Sequence, residues 1–350
     1  MIGFRIQRAR KAQGLSLRAL AEQVGLSHSA IKKLEDNIQI PSSSLLIKLS
    51  KILQVKVEYF FRPNSFVMEN IQYRHIDKLS KNQKLKIEAQ ILNQIEQRIE
   101  LENLLPALPV WKFSPKKLSK IKNLEEIEGI AEKLRFDWDL GLAPISDLIN
   151  SLEGHGIKVF QYENNLNSAF DGLAACLNNS IYVIVINNHR PGDRQRFTLA
   201  HELGHILLAD DIANSRHEEK YCDRFAGCFL LPKKSLVQIL GEYRTHIEPR
   251  ELALIKQEFG LSMLSILHRA KDVNIISSAT YKRLRAEFDA LNWNKEEPGK
   301  TYPKESTNNF EQMIFHALAE DLISEAKAAE LMNKSLASFR TLRVMRNDSN

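Results

Sequence analysis

Cysteine is scarce: Cys176, Cys222 and Cys228 are the whole set in 350 residues. An odd number without metal-knuckle spacing argues against a disulfide framework and points to reduced thiols in a cytoplasmic protein. Cys222 and Cys228 would stand on different faces of a helix, which favours core packing over metal binding. Long apolar runs are also missing. No stretch approaches the ~18 residues of a membrane span, and the opening Met1-Ile2-Gly3-Phe4-Arg5 lacks the apolar region of a signal peptide. Positive charge is absent from most of the chain as an excess. Residues 66–350 carry 38 Lys/Arg against 39 Asp/Glu, so the net charge of +6 comes entirely from residues 1–65, with eleven Lys/Arg and four Asp/Glu. That distribution predicts a polyanion-binding module on a nearly neutral body. With 43% hydrophobic residues, the chain is long enough for two or three domains with real cores.

The stretch with the clearest chemistry is Arg196-Phe197-Thr198-Leu199-Ala200-His201-Glu202-Leu203-Gly204-His205-Ile206-Leu207-Leu208. It holds H-E-x-x-H inside an apolar helical pattern. Residues four apart share a helix face, so His201 and His205 can aim both imidazoles at one metal ion. Glu202 stands one step round, where its carboxylate is placed as the base for a water activated by that metal. Buried imidazoles and a buried carboxylate are costly without partners, and a divalent cation would satisfy them.

The bare pattern recurs by chance in unrelated chains, and a second cluster gives it weight. Glu218-Glu219-Lys220-Tyr221-Cys222-Asp223-Arg224-Phe225-Ala226 follows, ending in Phe229-Leu230-Leu231-Pro232. Catalytic zinc usually takes three protein ligands. Glu219 suits the third position, and Asp223, one turn later, suits a neighbour of that ligand or a hydrogen-bond partner of a histidine. Taken alone, Glu218 and Glu219 would be a solvated acidic helix start favoured by the dipole. His217, Tyr221 and Arg224 are near enough in sequence to be considered for an oxyanion, with surface polarity or an ion pair as the plainer reading of each.

R-F-T-L-A-H-E-L-G-H followed by E-x-x-x-D-R-F-A-x-x-F-L-L-P resembles the ImmA/IrrE family of metallopeptidase domains. The resemblance implies a zincin-like fold with zinc on His201, His205 and Glu219, and Glu202 as catalytic base. The family more often has Asn where this chain has Asp223, which leaves the ligands intact. Imidazole and carboxylate donors accept manganese as well as zinc.

Residues 1–65 read as short helices: a basic amphipathic one from Ile2 to Gln13, one from Leu17 to Val24 capped by Ser16, and a third from Ser27 to Asp36 after a turn at Gly25. A fourth opens at Pro41-Ser42. Helix, glycine turn and helix is the helix-turn-helix pattern, although a generic helical bundle shares its amphipathicity. L-S-L-R-A-L-A-E-Q-V-G-L-S-H-S-A-I-K-K-L-E, then I-P-S-S-S-L-L-I-K-L-S-K-I-L, resembles the Cro/CI-type (XRE) family and implies binding to double-stranded DNA. His28, Ser29, Lys32 and Lys33 form the polar outer face that would meet DNA, with Ser27, Ser29 and Lys32 expected at the groove and Arg18 and Lys33 on the backbone.

The resulting expectation is mainly α with a small β-sheet (α+β). An all-α helix-turn-helix domain spans 1–65, a helical connector 66–125, a zincin-like metallopeptidase domain 126–275 and a helical C-terminal region 276–350. The connector's long amphipathic helix suits either a homodimer contact or packing on the chain's own peptidase body, and Pro106, Pro109 and Pro115 break the chain after it. Ile157–Phe160 reads as a strand, and Asn178-Asn179 as the turn of a hairpin between 172–176 and 181–186, in a small antiparallel sheet to which an extended substrate could add. Ile323 to Leu331 resembles the first half of another helix-turn-helix, with a packing or partner-binding tail as the plainer reading. Two functions follow. One is a cytoplasmic regulator with a zinc-dependent endopeptidase that cleaves a repressor or other regulatory protein. The alternative is a repressor or antitoxin-like protein that senses metal or a peptide without turnover.

Overall fold

The computed structural model describes residues 2–62, 68–74, 80–105, 113–114, 121, 123–163, 170–212 and 218–344. Pro106, Pro109, Pro115 and His217 therefore lie outside the described residues. The fold is mainly α with a small sheet, and no helix among the described residues is long and apolar enough to cross a membrane.

In chain order, α1 (Ile2–Ala12), α2 (Leu17–Val24), α3 (His28–Glu35), α4 (Ser43–Leu53) and a 3-10 turn (Val57–Phe61) precede β1 (Met68–Arg74) and α5 (Lys81–Leu104). Then come α6 (Leu124–Asp137), α7 (Leu148–Gly154), β2 (Lys158–Tyr162), β3 (Gly172–Leu177), β4 (Ile181–Asn187), α8 (Gly192–Ile212) and α9 (Glu218–Leu230). The chain continues with α10 (Lys233–Leu240), α11 (Pro249–Phe259), α12 (Met263–Asp272), α13 (Ser278–Ala290), α14 (Asn309–Ala319), α15 (Glu325–Leu331) and α16 (Leu336–Arg343). These elements form two compact units. The first gathers α1–α5 with α14–α16, and the second gathers β1 and everything from α6 to Thr307.

In the first unit, Ser16, Ser27 and Ser42 cap α2, α3 and α4 through their hydroxyls, and Gly25 makes the left-handed turn (φ 72°) that ends α2. Ile6, Leu20, Val24, Ile31, Leu34, Leu49, Leu53 and Phe60 close the core. α1 approaches α3 so closely that a Cβ on Gly3 would fall 2.1 Å from the Leu34 carbonyl oxygen. The long helix α5, entered through a Ser80/Gln83 capping box, turns Ile87, Ile91, Ile95 and Ile99 inward and packs on α1 and α14. Those isoleucines thus pack against other elements of the first unit.

Three cations of that N-terminal segment are not available to a polyanion. Arg5 and Arg8 are buried and both donate to Glu96 of α5 at 2.6 Å, while Arg10 donates to Glu35 at 2.6 and 2.9 Å. The basic excess counted from sequence therefore overstates the charge on the surface, because part of it neutralises carboxylates inside the fold.

In the second unit the sheet order is β1-β3-β4-β2. β3 and β4 form the expected hairpin, Gly172 opposite Ile186 through Leu177 opposite Ile181. Asn178 (φ 47°) and Asn179 (φ 54°) supply the two left-handed residues of its turn. The sheet is mixed, however, not antiparallel. β2 runs parallel to β4, because the chain leaves β2 and returns to β3 on the opposite side of β4. α8 lies across β3 and β4, and α9 packs along α8. The core between them includes Leu148, Leu152, Ile184, Ile186, Leu199, Leu203, Phe225 and Phe229.

Residues beyond α13 complete this core. Glu305 accepts from the Leu148 N–H at 3.1 Å and pairs with buried Arg196 of α8, whose guanidinium also donates to the Ile145 carbonyl at 2.7 Å. The Tyr302 ring lies 5.2 Å from that guanidinium. Gly192 opens α8 where a Cβ would fall 1.9 Å from the Pro303 carbonyl oxygen. The start of the H-E-x-x-H helix is clamped by a segment more than a hundred residues downstream.

Candidate metal centre and nucleic-acid interface

On α8, Leu199, Ala200 and Leu203 face the core with no exposure, and the same helix carries His201, Glu202 and His205 into the interior at 0–2% exposure. α9 reaches them because of Gly204. A Cβ there would stand 3.3 Å from both Cys222 Cα and Phe225 Cδ1, contacts tighter than side chains ordinarily tolerate. The glycine of H-E-L-G-H thus sets the distance between the two helices that supply polar groups.

Three donor groups converge. His201 Nε2 lies 3.1 Å from His205 Nε2, 3.3 Å from Glu219 Oε2, and His205 Nε2 lies 3.4 Å from Glu219 Oε1. Tetrahedral zinc with ligands at 2.0–2.1 Å requires donor–donor edges of about 3.3–3.4 Å. The separations are close to that size, with the two carboxylate contacts falling on different oxygens of Glu219, so the donor set fits a single first-row cation and, among the described residues, leaves one corner of the tetrahedron without a protein ligand. Among the described residues, His201, His205 and Glu219 are the group that could hold a metal ion.

The far sides of the imidazoles are also engaged. His201 Nδ1 lies 2.8 Å from Asp223 Oδ1, and His205 Nδ1 lies 3.2 Å from Glu218 Oε1. Carboxylates that accept from Nδ1–H leave the Nε2 lone pairs directed at the common centre. The site is open on one side: the histidine side chains are at 0% and 1% exposure, but Glu219 is at 64% and Asp223 at 54%.

Glu202 sits beneath β3, fully buried. A Cβ on Gly172 would meet its Oε1 at 3.4 Å, Thr198 Cγ2 at 2.5 Å and the Val185 carbonyl oxygen at 2.8 Å. Gly172 is what allows the strand to pass over this carboxylate. Asp171, just before it, is buried, forms an ion pair with Arg190 at 2.6 Å and accepts from Arg194 at 2.6 and 3.1 Å.

Glu218 and Gly172 were not singled out by sequence. Glu218 was visible as half of an acidic pair, but helix spacing alone does not say which of two adjacent carboxylates faces a histidine. Of the oxyanion candidates, Arg224 turns away into an ion pair with Asp272 at 2.6 Å, and Tyr221 packs partly buried against the core. His155 stacks on Trp138 and His246 pairs with Glu248 at 3.3 Å. Cys222 and Cys228 are buried, and burial pushes the Cys228 thiol up to about 12.

In the first unit, Ser27, His28, Ser29, Lys32 and Lys33 share the exposed side of α3, and Arg18 is exposed on α2. Ser27 Oγ accepts the Ala30 N–H at 3.1 Å and lies 3.0 Å from Ser29 Oγ, so its first role is to cap the helix. Lys32 pairs with Asp36 at 2.7 Å in solvent. Buried Ile31 and Leu34 fix which face points outward.

Comparison with known proteins finds relatives for both domains. Residues 6–60 match the model of a helix-turn-helix family, and residues 152–271 match the IrrE N-terminal-like domain. The chain joins an XRE-type helix-turn-helix domain to an ImmA/IrrE-like metallopeptidase domain. Within the ImmA/IrrE-like part it is 34% identical over 74 residues to the radiation response metalloprotease IrrE of Deinococcus radiodurans, 17% of this chain and 23% of that protein. It is 32% identical over 102 residues to the IrrE of Deinococcus deserti, 25% of this chain and 35% of that protein. The XRE-type part is 45% identical over 58 residues to the HTH-type transcriptional regulator SinR of Bacillus subtilis, 16% of this chain and 52% of that protein. The matched segments thus span about a quarter to a half of these curated relatives.

Proposed function

We propose that this protein is a cytoplasmic DNA-binding regulator whose metallopeptidase domain hydrolyses a peptide bond in a repressor or another regulatory protein. The observation that carries the proposal is the triangle of His201, His205 and Glu219 donors beside a buried carboxylate on the same helix. Zinc is the assigned metal, because two imidazoles and one carboxylate with an open fourth position are its catalytic donor set. Bound there, the ion supplies Lewis acidity and brings the pKa of water towards neutrality.

The chain's own residues do the rest. Glu202 is the general base: its carboxylate accepts a proton from the attacking water and returns it to the leaving amine nitrogen. Asp223 and Glu218 hold the histidines in the tautomer that faces the metal. β1 already pairs with β3, so an extended peptide takes its main-chain hydrogen bonds at β1 or β2, or at β3 once β1 is displaced. The XRE-type domain brings the peptidase to DNA.

The test is metal content and turnover in parallel. Wild type and Glu202→Gln are each expected to hold about one zinc per chain, and His201→Ala to lose it. New protein N-termini are expected in cells expressing wild type and not Glu202→Gln, whose turnover should fall by roughly 10²–10⁴-fold. A wild type that takes up no metal after zinc is supplied would overturn the peptidase reading. Zinc retained by both proteins with identical N-termini and identical regulation would favour the non-catalytic sensor.

A further inference from the structure

We infer that α15 and α16 form a second helix-turn-helix that binds duplex DNA. The grounds lie in the C-terminal part of the first unit and are independent of the metal.

The resemblance between this tail and the N-terminal reader is one of hydrogen bonds at matching positions. In the reader, Ser16 caps α2, Gly25 is left-handed at φ 72° and Ser27 caps α3. In the tail, Ser324 caps α15, Asn333 is left-handed at φ 52° and Ser335 caps α16, with the same number of residues between successive features. The turns close alike. The Gly25 N–H donates to the Glu22 carbonyl at 3.1 Å and the Leu26 N–H to the Ala21 carbonyl at 2.9 Å; the Asn333 N–H donates to the Glu330 carbonyl at 3.0 Å and the Lys334 N–H to the Ala329 carbonyl at 2.9 Å. Three buried positions correspond, Leu20, Ala21 and Ile31 in the reader and Ala328, Ala329 and Phe339 in the tail, while buried Val24 and Leu34 have the less buried Met332 and Leu342 as counterparts. A left-handed residue followed by a serine cap fixes the angle between two helices through backbone geometry, so the second helix projects as α3 does.

Geometry alone does not make a reader, and the chain contains the control. α11 and α12 are joined by a left-handed Gly260 (φ 68°) and a Ser262 cap, but α12 buries Met263, Ile266, Leu267, Arg269 and Ala270. It has no continuous face left for a partner. α16 buries only Phe339 of its eight residues.

The exposed face carries Leu336, Leu342 and Val344, and its charge is of one sign, which favours nucleic acid. From Met332 to Val344 there are three cations, Lys334, Arg340 and Arg343, and no acidic residue. Arg340 occupies the position that Lys32 holds in the reader. Ser335, Ser338 and Thr341 add hydroxyls. Arg340 and Arg343 both pair with Glu325, Arg340 at 2.9 Å, in solvent where such pairs contribute little. Phosphate oxygens can replace that carboxylate and accept the same guanidinium forks.

The experiment uses the full chain and a fluorescein-labelled random-sequence duplex of about 30 base pairs, titrated by anisotropy between about 50 and 200 mM salt. Removing two phosphate contacts by Arg340→Gln and Arg343→Gln should reduce the slope of log affinity against log salt by roughly 1–2, and Arg340→Lys with Arg343→Lys should preserve it. A Lys32→Ala, Lys33→Ala protein should retain salt-dependent binding that is lost when Arg340→Gln and Arg343→Gln are added to it. Superimposable titrations for wild type and the Gln variant would overturn the inference and leave a packing tail. So would complete loss of binding in the Lys32/Lys33 variant with an unchanged circular-dichroism melt, since α3 alone would then account for the DNA contact. A Gln variant that melts early is replaced by the single substitutions, and two unchanged slopes again overturn it.

Discussion

Helices α8 and α3 carry the polar side chains on which the proposed activities rest, and they are built in opposite ways. On α8 every such group is inside: His201 and Glu202 are at 0% exposure, His205 at 2% and Arg196 at 0%. Burial forces each histidine and the arginine onto a defined partner, from Asp223 and Glu218 to Glu305. On α3 the polar groups are outside, held only by a serine cap and a solvent-exposed Lys32–Asp36 pair. A buried polar set is costly and therefore specific; an exposed one is cheap and acquires its geometry from the ligand. Mutations should then act on stability and metal binding in α8, and on salt-dependent affinity in α3.

The largest effect should come from a residue far from the metal. Glu305→Ala leaves the Arg196 guanidinium buried with only the Ile145 carbonyl and the Tyr302 ring, and breaking such a pair costs about 3–5 kcal/mol. The expected outcome is a lower midpoint of the second unit's urea transition, with the first unit's DNA affinity unchanged. A transition at the wild-type midpoint would show that α8 does not depend on this partner.

Asp223 sharpens the comparison at smaller magnitude. Asp223→Ala removes the acceptor for His201 Nδ1–H and should weaken zinc binding by about 10–100-fold, read by competition with a chromophoric chelator. Asp223→Asn keeps a neutral acceptor at the same reach and should stay close to wild type. If both variants bind zinc as wild type does, Nδ1 orientation is set by packing on α8 alone.

What was legible in the sequence follows the same division. H-E-x-x-H announces itself because two histidines and a glutamate interrupt an apolar helical pattern, and only a bound partner makes that tolerable. The reader was legible through local signals: serine caps, Gly25 and the spacing of Ile31 and Leu34. Pairings between distant segments were not legible. Arg5 and Arg8 look like surface cations until α5 brings Glu96 to them, and nothing near Arg196 in sequence points to Glu305. Gly172 reads as an ordinary strand residue until α8 places Glu202 beneath it. Local patterns specify elements and caps; the partner of a buried charge depends on the completed topology.

The smallest expected effect lies on α3, and it separates the two helices most cleanly. Lys33→Ala removes one exposed cation with no buried partner, so stability should change by no more than about 0.5 kcal/mol and zinc content should not change. If Lys33 meets a phosphate, affinity for a random-sequence duplex should fall at low salt, and the salt slope should lose roughly 0.9. The same slope with uniformly lower affinity would mean that Lys33 acts on the helix and not on the DNA. An unchanged titration would remove Lys33 from the interface, leaving Ser29, Lys32 and Arg18 to carry it. Zinc content and melting midpoint, measured on the same preparation, hold α8 constant while α3 is altered, which is the independence that the division into buried and exposed sites requires.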